Sequence, residues 1–461
     1  MANRRNRRHT RREFLQRAGL APVVLSAAAR LPAAPRPNII FIMADDLGFG
    51  DLGCYGQKLI RTPRIDRMAK EGTRFTQCYS GSPVCAPSRN VLMTGMHTGH
   101  TRIRGNSPEV GGTVETFGEG ARRLSLEDSD VTVAEFLKRA GYATGVTGKW
   151  GLAEPDTAGV PNRRGFDEWF GYLNQNHAPY YYTDYLWKDE RRFPLEGNRD
   201  GKREQYTHDL FTGFSLDFIR RHHAHPFFLY IAYTIPHERL EVPDLGEYAG
   251  RPWPERARIY AAMVTRMDRD VGQMLDLLKG LGIDKRTLVF FTSDNGAPKK
   301  DFGDLFKSNG PLRGWKGELW EGGIRVPMIA RWPGTVPAGR VCHVPWYFAD
   351  FVPTAAGLAG VEIPACDGID VSPVLTGKRR APSDRFLYWE YPGKTFQQAV
   401  RFGKWKAHRT GLNGPLTLYD LEVDPSETTD VSAAHPSVLA RIGEYLEDAR
   451  TESPNWPTRK T

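Results

Sequence analysis

Carboxylates, a carboxamide, a lysine and a histidine recur in this chain directly after short apolar runs. Residues 38–43 run into Ala44-Asp45-Asp46 and residues 143–147 into Gly148-Lys149. Residues 227–233 run into Thr234-Ile235-Pro236-His237, and residues 288–292 into Ser293-Asp294-Asn295-Gly296. Each motif alone is ordinary turn text. Their shared position is informative, because ligands of open α/β sheets bind outside the carboxyl ends of the strands, where the loops converge. Asp45, Asp46, Asp294 and Asn295 offer only hard oxygen donors, and three carboxylates brought together repel unless a cation sits among them. That donor set points to calcium or magnesium rather than zinc, with calcium better suited to a crowded, partly bidentate shell.

A second candidate is Cys85, in Ser82-Pro83-Val84-Cys85-Ala86-Pro87-Ser88-Arg89. Pro87 and the residues after it, 90–94, read as the opening of a helix. Unpaired amides and the positive dipole end favour an anion there by about 0.3 to 1 kcal/mol, and by up to about 2 when partly buried. An anionic substrate suits that location, and a buried, inert thiol is the alternative. The loop of the thiol phosphatases does not fit, since it needs an Arg six positions after the Cys and Arg89 is four after. The chain has five cysteines, Cys54, Cys78, Cys85, Cys342 and Cys366. That odd count leaves one unpaired in an oxidising compartment, and no zinc-type spacing occurs among them.

The elements that must position these groups follow from the apolar pattern. Strand-type runs of about five to seven residues alternate with longer segments of helical period, as in an α/β fold with a large, mostly parallel central sheet flanked by helices. Ile259, Met263, Met267, Val271, Met274, Leu275 and Leu278 share one face of a helix ending near Gly280, which is core packing. After Gly368-Ile369-Asp370 the text changes to strand-like segments at 386–391, 399–408 and 416–421, a small antiparallel sheet with a closing helix. The expected organisation is an export segment at 1–34, a catalytic α/β domain at 35–377 and a C-terminal α+β subdomain at 378–461.

The 461 residues suffice for two or three domains with a core deep enough to house a site. Net charge is +9, but residues 1–34 hold eight Arg and one acid, leaving 55 bases against 53 acids elsewhere. A nearly neutral body gives no support for nucleic-acid binding. The basic head, Arg11-Arg12-Glu13-Phe14-Leu15, the apolar stretch at 18–29 and the small residues up to Ala34 have the order of a signal peptide, and the Arg pair resembles a twin-arginine signal. Twin-arginine export machinery is therefore an expected partner, and the destination is periplasmic or extracellular. No stretch approaches the roughly 20 apolar residues of a membrane span.

Cys85-Ala86-Pro87-Ser88-Arg89 followed by Leu92-Met93-Thr94-Gly95 resembles the signature of the type I sulfatases, members of the alkaline phosphatase superfamily. Further likeness runs through residues 38–53, 94–102, 145–150 and 293–296, and from Arg313-Gly314-Trp315-Lys316-Gly317 to Glu321-Gly322-Gly323-Ile324-Arg325-Val326-Pro327. The resemblance implies that a maturation enzyme oxidises Cys85 to Cα-formylglycine, which would account for the odd cysteine. It also implies hydrolysis of sulfate esters by the hydrated aldehyde, with calcium as Lewis acid and the matured Cys85 side chain among the metal's neighbours. By the same analogy Arg89 and Lys149 hold the diol, Lys316 binds a sulfate oxygen, and His237 binds the bridging oxygen as clamp or general acid.

One position departs from the pattern. Sulfatases often carry a His two residues after the active-site Lys, and here that place is Gly151. A general base typically supplies about 10² to 10⁴-fold, so its absence weakens the expectation without removing it. His177 and His208 are candidate substrate contacts by composition. The tyrosines at 172, 180, 181, 182 and 185 suit a sugar-stacking mouth, or a core. A sulfated glycan is the expected substrate. The competing readings are a phosphate or phosphonate monoester hydrolase on the same scaffold, and a sulfated-glycan-binding protein with impaired turnover.

Overall fold

Continuous apolar strands buried on both faces form the middle of the molecule. In the computed structural model, residues 36–458 are described, apart from 115, 118, 119, 379–381 and 383; the predicted export segment at 1–34 lies outside the described residues. Strand β1 (Asn38–Ala44) is buried throughout. Its Ile39, Phe41 and Met43 pack into one core, and Ile40, Ile42 and Ala44 into another on the opposite face. Burial on both faces is why the run reads as unbroken apolar text rather than as an alternation.

The other site-bearing strands are β2 (Thr73–Tyr79), β3 (Ala143–Lys149), β4 (Glu168–Tyr172), β5 (Phe227–Ala232), β6 (Thr287–Ser293) and β7 (Arg325–Arg331). Across the eleven-stranded sheet the order is Arg340–Cys342, β2, β7, β6, β1, β5, β3, β4, Tyr185–Lys188, Arg191–Pro194, with Trp346–Tyr347 also paired to β2. From β6 to β4 every pairing is parallel, and β7 reverses direction against both β6 and β2. Four parallel strands, β6, β1, β5 and β3, therefore end side by side at one edge. Those four carry the polar motifs singled out above.

Helices cover both faces. Helix α1 (Pro63–Lys70), α3 (Thr207–His222) and α4 (Glu255–Gly280) lie on one face, and α2 (Cys85–Thr94) lies on the other with the shorter helices Val133–Arg139 and Phe351–Ala359. In α4, Met263, Met267, Val271, Met274, Leu275 and Leu278 are buried as their spacing predicts, while Ile259 is only partly covered. No described helix is long and apolar enough to cross a membrane.

Beyond the large sheet, β8 (Phe386–Tyr391), β9 (Gln397–Phe402), β10 (Trp405–Thr410) and β11 (Thr417–Asp420) form a four-stranded antiparallel meander. Helix α5 (Pro436–Asp448) closes a separate small core of Tyr388, Val400, Ala407, Leu418, Ile442 and Leu446. The segment 399–408, read from sequence as one strand, is a hairpin. It turns at Gly403, whose φ of 58° is cheap only for glycine, and the apolar pattern alone does not mark so tight a reversal.

A buried ion triad ties this sheet to the active-site side of the molecule. Lys406 of β10 reaches Glu321 at 3.1 Å and Glu427 at 2.9 Å, with no solvent access to any of the three. Replacing Lys406 by Ala leaves Glu427 without its cation in the interior and Glu321, among the described residues, with Arg325 alone at 3.2 Å, and a loss of about 3 to 5 kcal/mol of stability is expected on chemical denaturation. A loss under about 1 kcal/mol would show that the triad does not hold the small sheet in place.

Candidate active site

The chain reversal after β1 brings two consecutive carboxylates to bear on one spot. On an extended strand successive side chains diverge, but Asp46 sits at φ 67°, in the left-handed region. Holding a non-glycine residue there costs roughly 1 to 2 kcal/mol. Asp294 and Asn295 close the ring from the end of the adjacent β6. Asp294 accepts the Asp46 backbone N–H at 3.1 Å, and the Asn295 amide donates to Asp46 Oδ1 at 2.7 Å.

Cys85 is the first residue of α2, after Val84 in extended conformation, so its side chain stands at the helix N-terminus. Its Sγ lies 3.4 Å from Asp45 Oδ1. The neighbouring amide of Ala86 is satisfied by Asn106 Oδ1 at 3.0 Å, and Ser88 Oγ donates to the Asp294 carbonyl at 2.5 Å, which fixes α2 against the end of β6. One turn along, Arg89 donates to Asp294 Oδ2 through Nε and Nη2 at 3.1 and 2.8 Å and to the Lys149 carbonyl at 2.6 Å. Lys149, at the end of β3, puts its ammonium 2.8 Å from Asp45 Oδ2. Lys316 does the same to Asp46 at 2.8 Å, and its Nζ is 3.3 Å from His237 Nε2. The Lys316 loop is moored to the cysteine loop by the Gly317 N–H on the Pro83 carbonyl, 2.9 Å. The eight strand-end and helix-start residues picked out above, together with Lys316 from its loop, thus meet in one cluster.

Most of the cluster is sealed. Cys85, Arg89, Lys149, Asp45, Asp46, Asp294 and Asn295 are buried, while the His237 and Lys316 side chains keep 17 % and 19 % exposure. Substrate therefore enters past His237 and Lys316. Burial raises every carboxyl here. At Asp45 the charges of Lys149, His237, Arg89 and Lys316 outweigh it and hold the group well below the usual carboxylate range, and Lys316 and His237 do the same for Asp46. Asp294 is pushed up to about 6 by burial and by the Asp45 charge, despite Arg89. Burial, reinforced by Asp294 and Asp45, drives the Cys85 thiol far above its ordinary value. The unmodified thiol is consequently a poor nucleophile at neutral pH, because the thiolate is the reactive form. His237 is lowered by burial against the pull of Asp46.

The residues fit a hard cation. Three carboxylates converge, and Asn295 Oδ1 is a buried acceptor with no partner among the described residues. A buried orphan acceptor is costly unless it has a ligand to meet. The donor set contains no sulfur other than Cys85 and one imidazole at its rim, as expected for an oxygen-ligated ion.

At Gly151 the structure shows what replaces a side chain. A Cβ there would lie 2.2 Å from Gln175 Nε2, and the Gln175 amide already donates to the Gly151 carbonyl at 3.1 Å. Gln175 fills the space into which a residue at 151 would project, and its Oε1 is a second buried acceptor lacking a partner among the described residues. The structure buries both His177 and His208 in core packing, which removes the ground for expecting them to touch substrate. His177 is buried, stacked on Phe117 at 4.1 Å with Nε2 on Thr183 Oγ1 at 2.7 Å. His208 is fully buried on Asp270 at 2.9 Å and against Tyr233. Their composition signal came from core hydrogen bonding. Tyr172 and Tyr181 are likewise interior, with Tyr180, Tyr182 and Tyr185 partly open. Gln175, Asn106 and Tyr230, which lies close enough to Arg89 to bond it, escaped sequence reasoning because nothing in their spacing separates them from ordinary loop or strand residues. The five cysteines are all free.

Comparison with known proteins agrees with this geometry. Residues 37–361 match the sulfatase family profile, and residues 314–452 match that of the N-sulphoglucosamine sulphohydrolase C-terminal region. The N-acetylgalactosamine-6-sulfatase of Canis lupus familiaris is 37 % identical over 415 residues, 84 % of this chain and 74 % of that protein. Human (Homo sapiens) arylsulfatase A is 32 % identical over 475 residues, 91 % of this chain and 89 % of that protein. Among solved structures, Ps i-CgsB in complex with k-i-k-neocarrahexaose superposes with a TM-score of 0.78 at 30 % identity, covering 92 % of this chain and 95 % of that one. With its catalytic-type cluster at the sheet edge and these relatives spanning nearly its whole length, the chain belongs to the sulfatase family, enzymes that hydrolyse sulfate esters.

Proposed function

We propose that this enzyme removes sulfate from sulfated saccharides, with Cys85 matured to formylglycine and a calcium ion held by Asp45, Asp46, Asp294 and Asn295. The observation that carries the reading is the placement of a buried, unreactive thiol at a helix N-terminus, 3.4 Å from one carboxylate of an oxygen-only cage. Calcium supplies Lewis-acid polarisation of the sulfate oxygens, and the hydrated aldehyde supplies a hydroxyl nucleophile with a built-in route for expelling sulfate.

The chain's own residues do the rest. Arg89 and Lys149 fix the side chain at position 85 from the interior, through the same carboxylates that hold the ion. Lys316 sits at the entrance as a fixed cation for a sulfate oxygen, which places positive charge where negative charge grows in the transition state. His237 Nδ1 faces the Glu238 carbonyl at 3.0 Å. A proton on Nδ1 leaves Nε2, the nitrogen beside Lys316, as acceptor; the proton released by the attacking hydroxyl would be taken up at Nε2 and passed to the departing ester oxygen. Saccharide is the proposed substrate class because the relatives named above include an N-acetylgalactosamine-6-sulfatase and a carrahexaose complex. Export by the twin-arginine route and maturation by a formylglycine-generating enzyme belong to the same proposal.

Protein co-produced with a maturation enzyme is assayed on p-nitrophenyl sulfate, p-nitrophenyl phosphate and N-acetylgalactosamine 6-sulfate, and its Cys85 tryptic peptide is weighed. Aldehyde-containing peptide and faster turnover of sulfate than of phosphate are expected. An unaltered thiol in active protein, or preference for the phosphate, overturns the reading. In a thermal melt of chelator-treated protein, calcium at 100 times its Kd is expected to add about 2.7 kcal/mol of stability, and a melt indifferent to calcium removes the ion from the proposal.

A further inference from the structure

Two residues beyond His237, Arg239 is an exposed cation without an acid of its own. Its neighbours' carboxylates are engaged elsewhere, since Glu238 pairs with Arg256 and Glu241 with Arg203 at 3.1 Å. No carboxylate among the described residues pairs with Arg239. Surface arginines usually wander, but this one is held. Its guanidinium carbon is 3.6 Å from the Tyr180 ring centroid, and Nη2 donates to Tyr180 Oη at 2.7 Å. Tyr180 is braced in turn by an edge contact to Phe117 at 4.8 Å, and Phe117 stacks on the buried His177.

The backbone adds a second, independent sign of placement. Arg239 has φ 61°, a left-handed conformation that a residue with a Cβ keeps only where the surroundings impose it. A second ring-backed cation reaches the same loop: Lys300 Nζ lies 3.4 Å from the Pro236 carbonyl and 4.0 Å from the Tyr260 ring centroid. Solvent meets the catalytic cluster at His237 and Lys316, so the loop 236–239 borders the entrance. A stacked guanidinium offers a flat, pre-set fork that matches an oxyanion in two hydrogen bonds, with little rotamer freedom left to lose on binding.

We propose that Arg239 is a specificity-determining residue that binds a second anionic group, sulfate or carboxylate, on the saccharide whose sulfate ester is cleaved. The enzyme would then prefer polyanionic saccharides to singly charged ones. This rests on the sulfatase reading above.

The test compares kcat/KM of the matured enzyme and its Arg239→Ala and Arg239→Lys variants on four substrates. These are p-nitrophenyl sulfate, N-acetylgalactosamine 6-sulfate, N-acetylgalactosamine 4,6-disulfate, and a disaccharide joining a uronate to N-acetylgalactosamine 6-sulfate. The disulfate arm reports a sulfate as the second anion and the uronate arm a carboxylate. In Arg239→Ala, kcat/KM on whichever doubly charged saccharide is preferred should fall about tenfold further than on the monosulfate, mostly through KM, with Arg239→Lys recovering part of the loss. In the unmodified chain the preference itself should shrink as salt is raised, a readout that needs no variant. Equal losses on singly and doubly charged saccharides, or a preference that is absent at low salt, overturn the inference while p-nitrophenyl sulfate turnover still upholds the sulfatase reading. Failure to turn over any sulfate overturns both.

Discussion

Cys85→Ala protein, prepared beside the matured enzyme, is expected to release sulfate at least about 10⁴-fold more slowly while folding normally. The expectation follows from how little else in the cluster can attack sulfur. Asp45, Asp46 and Asp294 are turned toward the cage, Lys149 and Lys316 each sit 2.8 Å from a carboxylate, and His237 faces Lys316. Normal folding is expected because α2 is anchored by other contacts, chiefly Arg89 on Asp294 and Ser88 on the Asp294 carbonyl. Removing one small side chain from the helix start leaves those intact. Cys85→Ser, once the mass of its peptide shows that the hydroxyl is unoxidised, is the sharper variant: it keeps a hydroxyl in place without an aldehyde. Near-normal multiple turnover by Cys85→Ser would show that the second hydroxyl of a diol is unnecessary and that the covalent route is wrong.

Asp45→Asn carries the second largest effect. Among the described residues, Asp45 is the one carboxylate that meets the thiol, Lys149 and Arg89 together, at 3.4, 2.8 and 3.6 Å. The amide keeps the shape and removes the charge. Two buried cations then lose their shared anion, and the cage loses one of three negative ligands. We expect kcat to fall by about 10³-fold or more, with calcium affinity weakened in parallel in a thermal-shift titration. The pH profile supplies a check on charge. Because Asp45 is held below the ordinary carboxylate range, it stays ionised across the working pH, so its own titration contributes no acid limb in the wild type between pH 5 and 8. Full activity of Asp45→Asn with unchanged calcium response would place the ion elsewhere.

Much of this site was readable before any coordinates. Four strands buried on both faces had to be parallel and central, and the polar residues at their ends had to converge, so Asp45, Lys149, His237 and Asp294 followed from pattern and topology. Lys316 did not follow in that way; it lies in a glycine-rich loop far along the chain, and only resemblance drew attention to it. The helix start was placed a few residues late, since Pro87 suggested the first turn whereas α2 begins at Cys85 itself. What stayed hidden depended on contacts between distant segments. Gln175 fills the place beside Gly151 only because β3 and β4 are neighbours, and the loops following them meet. His177 and His208 misled for the complementary reason: a histidine's type is the same whether it meets substrate or satisfies a core hydrogen bond.

All ten residues of α2 are buried, Cys85 among them. An enzyme that oxidises this thiol needs several flanking residues in its own cleft, and the finished fold offers it none. On the proposed maturation, the oxidation would therefore have to act on the nascent or unfolded chain, ahead of sheet closure. On the proposed export route, which carries folded cargo, that ordering confines the oxidation to the cytoplasm. If both proposals hold, a cell lacking the modifying enzyme would ship a folded but permanently idle protein, one that no later encounter could repair.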